Sequence, residues 1–197
     1  MKILAFSDLH AARSRAEALV AASAGADLVI GAGDFCNLRQ GLPEALAPLT
    51  EITAPLVMVA GNNESANELR DAAPPRAHVL HGEAVEISGI RIFGIGGGIP
   101  VTPFGSWSWD LTEQQAEALL AGAEGAEVIV SHSPPKGVAD RTSTGQSVGS
   151  SALRAAIERF RPRLVLCGHV HDCWGQDGMI GRTRVRNLGP TVNWLEI

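Results

Sequence analysis

The sequence contains few cysteines, no cluster of basic residues and no long apolar run, and each shortage argues against a class of protein. Its three cysteines, Cys36, Cys167 and Cys173, are an odd number without Cys-x-x-Cys spacing. This pattern argues against a disulfide framework or a structural zinc site and favours a reducing compartment, the cytoplasm. The sixteen basic residues are scattered and the formal net charge is −5, so we expect no general nucleic-acid-binding or membrane-binding face. No apolar run approaches the length of a membrane span.

The remaining composition is that of one globular domain. The chain has 197 residues, which is enough for one sizeable hydrophobic core and short for two. Hydrophobic residues make up 45% and charged residues 19%, without the bias of a disordered chain. The sequence begins with a strand-like segment at residues 2–6 and not with the pattern of a signal peptide. We therefore expect a single cytoplasmic domain over residues 1–197.

The first third of the chain alternates short apolar runs with helical patterns. Strands are predicted at 3–6, 27–30 and 56–60, and helices at 14–24 and 42–52. Pro48 predicts a kink or a late start in the second helix, because proline cannot donate a backbone hydrogen bond. Such a strand-helix-strand order is typical of a parallel sheet with right-handed crossovers.

The rest of the chain mixes strand types. The pattern predicts a hairpin at 84–87 and 90–95, strands at 127–130 and 164–167, and an antiparallel strand at 183–186. Helices are predicted after the capping box that begins at Thr112 and at 150–160. Polar loops are expected at 96–110 and 137–149.

Polar side chains follow five of these strands. They are Asp8 and His10, Asp34, Asn62, His132, and His169 with His171. Gly168 ends the strand before the last pair, and residues two apart in an extended segment project to the same side, so both imidazoles are expected to reach one point. Mixed imidazole and carboxylate ligands suit manganese, iron, zinc, nickel or cobalt, whereas calcium prefers oxygen ligands alone.

In order and spacing these residues resemble the motifs of the calcineurin-like metallophosphoesterases, especially the small bacterial and archaeal phosphodiesterase-type branch. The motifs are Asp8-x-His10, Gly33-Asp34, Gly61-Asn62, His132 and Gly168-His169-Val170-His171. The resemblance implies an α/β fold, a four-layer α-β-β-α sandwich of two mixed sheets flanked by helices. It also implies two divalent metal ions, with manganese the first candidate and iron, zinc, nickel or cobalt the others.

The resemblance also assigns the ligands. One ion would be held by Asp8, His10, Asp34 and His171, and the other by Asp34, Asn62, His132 and His169, with Asp34 as the bridge. Two divalent ions, two carboxylates and a bridging hydroxide leave the site at a charge of about +1, which attracts an anionic phosphate. Attack by that hydroxide on a small phosphoester is the expected reaction, and the expected protein is a monomer or small homo-oligomer. The candidate catalytic residues are Asp34, Asn62, Asn63 and His132.

One motif departs from the family pattern. Phosphomonoesterases of the family usually have Gly-Asn-His-Asp/Glu, where this chain has Gly61-Asn62-Asn63-Glu64. That histidine is implied to protonate the leaving group or to stabilise the charge that develops in the transition state. An amide can donate a hydrogen bond but cannot transfer a proton at neutral pH. We therefore expect phosphodiesters or activated aryl phosphates as substrates. A phosphomonoesterase or protein phosphatase, and a non-catalytic scaffold with this fold, remain the alternatives. A scaffold would be free to lose ligands, and all seven are present.

Several other residues leave two interpretations open. Asn37 could support the metal ligands or cap a helix. Trp107 and Trp109 could stack on a substrate ring or pack within their loop. Arg141 could contact a phosphate or lie in a solvated loop. The histidines of the segment 77–82 are expected at the surface.

Overall fold

Two β-sheets face each other in the computed structural model, which describes all 197 residues, and each sheet carries helices on its outer side. The strands are β1 Lys2–Phe6, β2 Leu28–Ala32, β3 Leu56–Val59, β4 Ala77–Val79, β5 Glu83–Ile87, β6 Ile90–Ile95, β7 Val128–Ser131, β8 Leu164–Cys167, β9 Asp177–Ile180, β10 Thr183–Asn187 and β11 Asn193–Glu196. The α-helices are α1 Arg13–Ser23, α2 Leu42–Leu46, α3 Ala66–Ala72, α4 Glu113–Leu120 and α5 Ser151–Phe160.

The first sheet has the strand order β11-β1-β2-β3-β4. Strands β1 to β4 run parallel, with Ala5 opposite Ile30 and Ile30 opposite Val57. Strand β11 returns antiparallel to β1 at the edge. The parallel sheet predicted for the first third of the chain is confirmed, and β4 is an addition that the sequence pattern did not predict.

The second sheet has the order β5-β6-β7-β8-β10-β9 and mixes both directions. The predicted hairpin is confirmed as β5 and β6, and β6, β7 and β8 run parallel. Strand β10 pairs antiparallel with β9, as expected for its alternation, and also pairs parallel with β8. Strand β9 was not predicted, because its sequence Asp-Gly-Met-Ile begins with two poor strand formers.

Three layers of buried side chains hold these elements together. Between the sheets, Ile30 and Val57 of the first pack in one cluster with Val130 and Leu166 of the second. Outside the first sheet, side chains such as Leu4 and Met58 pack against α1, α2 and α3; outside the second, Phe93 and Val165 pack against α4 and α5. Burying one such side chain stabilises the fold by about 1.5–3 kcal/mol. The layers form the α-β-β-α sandwich that the family resemblance implied.

The second predicted helix begins at Leu42, so it does not start late, and it changes type near Pro48. Helix α2 ends at Leu46 and a 3₁₀-helix continues over Ala47–Glu51, with Pro48 in its first turn. The capping box predicted at Thr112 is also present, since the Thr112 and Gln115 side chains bond each other's backbone N–H. None of the helices combines the length and apolar character needed to cross a membrane.

Candidate metal centre

The carboxyl ends of the parallel strands bring the predicted metal ligands into two adjacent clusters. Strand β1 is followed by Asp8 and His10, β2 by Asp34, β3 by Asn62, β7 by His132, and β8 by His169 and His171. In each cluster the potential ligand atoms lie within 4.8 Å of one another. The first cluster is Asp8, His10 and His171, and the second is Asp34, His132 and His169.

The two last histidines do not converge on one point, so the alternation argument was wrong here. His169 has a left-handed backbone with φ of 66°, and His171 begins a short 3₁₀ turn, so the segment is not extended. His169 therefore joins Asp34 in the second cluster, whereas His171 joins Asp8 in the first. This division is the one that the family resemblance implied.

Asp34 lies between the clusters. Its Oδ2 is 3.7 Å from Nε2 of His10, and its Oδ1 is 3.5 Å from Nε2 of His132. Nε2 of His10 is 3.2 Å from Nε2 of His171, so two imidazoles face the same space in the first cluster. In the second, Asn62 Oδ1 is 3.2 Å from His132 Nε2. One carboxylate facing both groups of donors is the arrangement of a bridging ligand.

Hydrogen bonds orient two of the imidazoles. His132 Nδ1 lies 2.8 Å from the Ala32 carbonyl oxygen, and His10 Nδ1 lies 2.9 Å from Asn37 Oδ1. Because both partners are acceptors, the neutral form of each ring carries its proton on Nδ1 and leaves an electron pair on Nε2 for a metal. Asn37 therefore supports a ligand; the residue that precedes α2 is Gly41, and the helix-cap interpretation was wrong.

Three donors hold Asp8. Its Oδ2 accepts from the Ser7 hydroxyl and from the Trp174 indole Nε1 at 3.1 Å, and its Oδ1 accepts from the His169 backbone N–H at 3.1 Å. The Trp174 ring also lies against the His171 ring, with centroids 4.3 Å apart. The sequence analysis missed Trp174, whose only signal was its position three residues after the last histidine.

Asn63 and Glu64 hold the Asp34 loop from the other side. Asn63 donates its backbone N–H to Asp34 Oδ1 at 2.9 Å and its side-chain amide to Asp34 Oδ2 at 2.7 Å, while its Oδ1 accepts the Leu38 N–H at 2.8 Å. The buried Glu64 carboxylate accepts the backbone N–H of Asp34 at 2.8 Å and of Gly61 at 2.7 Å. Neither contact could be read from spacing alone.

The loops that carry the ligands have unusual backbone conformations. Asp8, His10 and Asp34 have φ between 47° and 58°, which costs free energy in residues with a side chain. Gly168 is required for close approach, since a Cβ there would lie 2.5 Å from Asp8 Oδ2. Backbone strain concentrated at the ligand loops is typical of a functional site.

The buried carboxylates and imidazoles of the site shift one another's pKa. Burial alone would raise the pKa of Asp34, but the nearby His132 holds it far below its ordinary value. Burial alone would lower the pKa of His132, but Asp34 and Asp8 raise it to about 9. Burial and the neighbouring His132 lower the pKa of His169 to about 4. Asp34 is thus anionic at neutral pH, and it favours positive charge beside it.

The donor set fits a pair of divalent cations. It offers four imidazoles, two carboxylates and one amide oxygen, which is the mixed nitrogen and oxygen set of transition metals. Asp8, His10 and His171 would hold one ion, His132, His169 and Asn62 the other, and Asp34 both. The supporting contacts of His10, His132 and Asp8 are those that metal sites use to fix their ligands.

A cleft of about 810 Å³ opens above His10, Asp34, His169 and His171. One part of its lining comes from the loop after β6 and includes Val101, Thr102, Pro103, Phe104 and Trp107. Another part comes from the loop after β7 and includes Lys136, Thr142, Gln146, Ser147 and Val148. Both loops that the sequence analysis singled out therefore reach the site.

The weaker candidates divide between the cleft and its surroundings. Trp107 lines the cleft. Trp109 instead packs against the buried side chains outside the first sheet and against His81, with the two ring centroids 4.9 Å apart. His81 is half-buried and accepts the Gly96 N–H, so the surface prediction was wrong for it. Arg141 is outside the cleft lining and donates to the Gly145 carbonyl; Lys136 is the cation that faces the cleft.

Comparison with known proteins identifies the family. An α/β sandwich with two histidine-carboxylate clusters at the strand ends defines a candidate metal-binding protein. The calcineurin-like phosphoesterase family profile matches residues 1–173, and the chain belongs to that family.

Relatives and solved structures agree with this assignment. Human metallophosphoesterase domain-containing protein 1 is 26% identical over 208 aligned positions, which cover 85% of this chain and 61% of the relative. The chain thus spans less than two thirds of that relative's length. The crystal structure of the Thermus thermophilus protein TT1561 aligns with a TM-score of 0.77, 20% identity and coverage of 95% of this chain and 88% of that one. The structure of an archaeal phosphodiesterase aligns with a TM-score of 0.56 and 17% identity, and the alignment covers 96% of this chain and 84% of that one.

Proposed function

We propose that this chain is a dinuclear metal-dependent phosphodiesterase, with manganese as the first metal to test. The observation that carries the proposal is the position of Asp34, whose two oxygens face the histidines of separate clusters at 3.7 and 3.5 Å. A complete donor set of seven side chains supports an enzyme over a scaffold. The fold shared with an archaeal phosphodiesterase is consistent with that reaction.

The chain's own residues would position the ions and the substrate. Paired divalent ions supply a water of lowered pKa and a clamp on the attacking and leaving oxygens. Asp34 keeps the two clusters together, and Asn63 and Glu64 keep Asp34 in place through three hydrogen bonds. Asn62 presents its amide oxygen to the second cluster while its Nδ2 donates to Ser108 Oγ at 3.0 Å.

The occupant of position 63 supports esters with weakly basic leaving groups. Asn63 is buried, and its amide already donates to Asp34 while its oxygen accepts from Leu38. It has no proton to give to a departing alkoxide. Esters with weakly basic leaving groups need no such proton, so activated aryl esters, diesters among them, are the substrates that this site suits best.

The test is hydrolysis by the purified chain, stripped with a chelator and reloaded with Mn²⁺. Bis(p-nitrophenyl) phosphate should be hydrolysed, and p-nitrophenyl phosphate should be hydrolysed with a lower kcat/KM. Asp34→Asn is the control for the metal site, and Asp71→Asn, at an exposed position on α3, is the matched control for loss of a carboxylate. A reloaded chain that hydrolyses neither ester would overturn the proposal in favour of a scaffold, and a preference for the monoester would make it a phosphomonoesterase.

A further inference from the structure

An aromatic side chain stands half exposed beside the candidate metal centre. Phe104 is 50% exposed, and its ring lies edge-on to the ring of His169 with centroids 6.4 Å apart. Its other neighbour is Trp107, stacked at 5.7 Å with the two ring planes 9° apart. We call Phe104 and Trp107 the aromatic shelf. Phe104 and Trp107 both line the cleft.

The cleft is larger than a phosphate group requires. Its volume of about 810 Å³ lies within the range of about 300–1,000 Å³ that holds drug-sized ligands. Val101, beside the shelf, is 59% exposed. Apolar side chains exposed in a cleft that reaches a metal centre are typical of a binding site for the non-reacting part of a ligand.

Charge in the cleft limits what that part can be. Apart from the metal ligands, the ionisable side chains that line it are Lys136 and Asp172, and their opposite charges cancel. Lys136 Nζ donates to the Ser147 carbonyl at 2.7 Å, and Asp172 accepts the Ser143 N–H at 2.8 Å. The cleft therefore offers no surplus positive charge for additional phosphates, and the substituent that enters it is best neutral.

We infer that the aromatic shelf binds a planar, uncharged aromatic substituent of the phosphodiester, an aryl group or a nucleobase, by stacking on Phe104. The inference rests on the proposed function, which makes the substrate a phosphodiester. It adds that Phe104 selects the substituent of that diester. Stacking suits this position because an aromatic face accepts any planar ring without requiring a charge. The ester phosphorus would lie at the metal ligands while the ring covers Phe104.

The test measures binding without turnover, by calorimetry on the Mn²⁺-loaded chain. Three monoanionic phosphonate monoesters serve as diester mimics whose only leaving groups are alkoxides: methyl methylphosphonate, methyl phenylphosphonate and thymidine 5′-methylphosphonate. We expect one or both aromatic ligands to bind about 10-fold more tightly than the methyl ligand, a size typical of ring stacking. The ligand that gains affinity identifies the substituent as aryl or nucleobase.

Substitutions of Phe104 test whether the tighter binding of the aromatic ligands comes from the aromatic shelf. Phe104→Ala should remove the 10-fold preference and leave the Kd of methyl methylphosphonate and the metal content unchanged, while Phe104→Tyr should keep the preference. Met179→Ala, which removes a 58% exposed apolar side chain outside the cleft, is the matched control. Equal affinity for all three ligands, or an aromatic preference that survives Phe104→Ala, would overturn the inference. Because no hydrolysis is measured, this result is independent of whether the chain turns over diesters.

Discussion

Trp174 donates its indole N–H to Asp8 Oδ2 across 3.1 Å, on the carboxylate whose other oxygen lies 3.7 Å from His171 Nε2. Trp174 thus touches a metal-ligand candidate without being able to bind metal itself. Donors of this kind fix the direction in which a carboxylate presents its free electron pairs.

Trp174→Phe should therefore weaken metal binding while the ring stack on His171 is largely kept. Loss of such a supporting donor typically lowers metal affinity about 10–100-fold. Competition with a chelator of known affinity measures the effect. Trp194→Phe, a change in an exposed tryptophan on β11, is the control. Equal metal affinity of the two variants would show that the indole N–H does not support Asp8.

The two-cluster arrangement predicts separable losses of metal. His171→Ala should empty mainly the first cluster and His132→Ala mainly the second, because each removes a ligand of one cluster. Asp34→Asn should lower the metal occupancy of both clusters and abolish hydrolysis, since Asp34 faces the ligands of both clusters. Metal content per folded chain, measured by elemental analysis after gel filtration, separates the three patterns. An Asp34→Asn chain with full metal content and wild-type turnover would disprove bridging.

The loop after β7 depends on one buried carboxylate. Asp140 Oδ2 accepts the backbone N–H groups of Gly137 at 2.9 Å and Gly149 at 3.0 Å, and the Ser147 hydroxyl. Burial alone would raise the pKa of Asp140, but these donors lower it below its ordinary value. The charged form of Asp140 therefore stabilises the fold at pH values above the ordinary aspartate pKa. This contribution is lost as the pH falls through the lowered pKa of the folded state.

Asp140→Asn should reduce the free energy of unfolding at pH 7 by about 1.5–3 kcal/mol, the range for hydrogen bonds to a charged group. The difference from wild type should shrink below about pH 4, where the unfolded aspartate takes up its proton. Urea unfolding of metal-free protein from pH 7 to pH 3 measures both. Asp71→Asn, exposed on α3, should show no such trend. A constant difference at every pH would contradict the role given to the charge.

The sequence located the candidate ligands at strand ends, because strand ends are local features. Each apolar run stops at a glycine or polar residue, so Asp34 and His132 could be placed at strand exits one at a time. Their meeting across two sheets required the family resemblance, because strand pairing and sheet packing are not local. The division of His169 from His171 was also hidden, since it depends on a left-handed residue at position 169.

The sequence left Asn37 with two interpretations and did not single out Phe104 or Trp174, and the reason is geometric. Asn37, Phe104 and Trp174 lie in loops, where no periodicity marks which way a side chain points. Their partners His10, His169 and Asp8 are between 27 and 166 residues away in the chain. Arg141 was left open between a phosphate contact and a solvated loop. The turn at 141–147 directs its guanidinium to Gly145, and Lys136 faces the cleft.

Asn63 stands where the resemblance to the family's monoesterases implies a histidine. An alkyl ester expels a strongly basic alkoxide and needs a proton donor, whereas a p-nitrophenyl ester expels a weak base and needs little help. The wild-type rate should therefore depend steeply on leaving-group pKa, and Asn63→His should flatten that dependence. The gain should be near nil for p-nitrophenyl esters and largest for poor leaving groups, up to the ~10²–10⁴ typical of general acids.

The substitution also has a structural cost that the experiment must separate. Asn63 is buried and satisfies both Asp34 Oδ2 and the Leu38 N–H, so an imidazole that leaves one unpaired should lower stability by about 1–3 kcal/mol. Asn63→Ala loses both bonds without adding a proton donor, and its leaving-group slope should stay at the wild-type value. Rates are compared at full metal loading across a series of diesters. If Asn63→His keeps the wild-type slope, position 63 does not control leaving-group protonation, and the preference for diesters must come from the shape of the cleft.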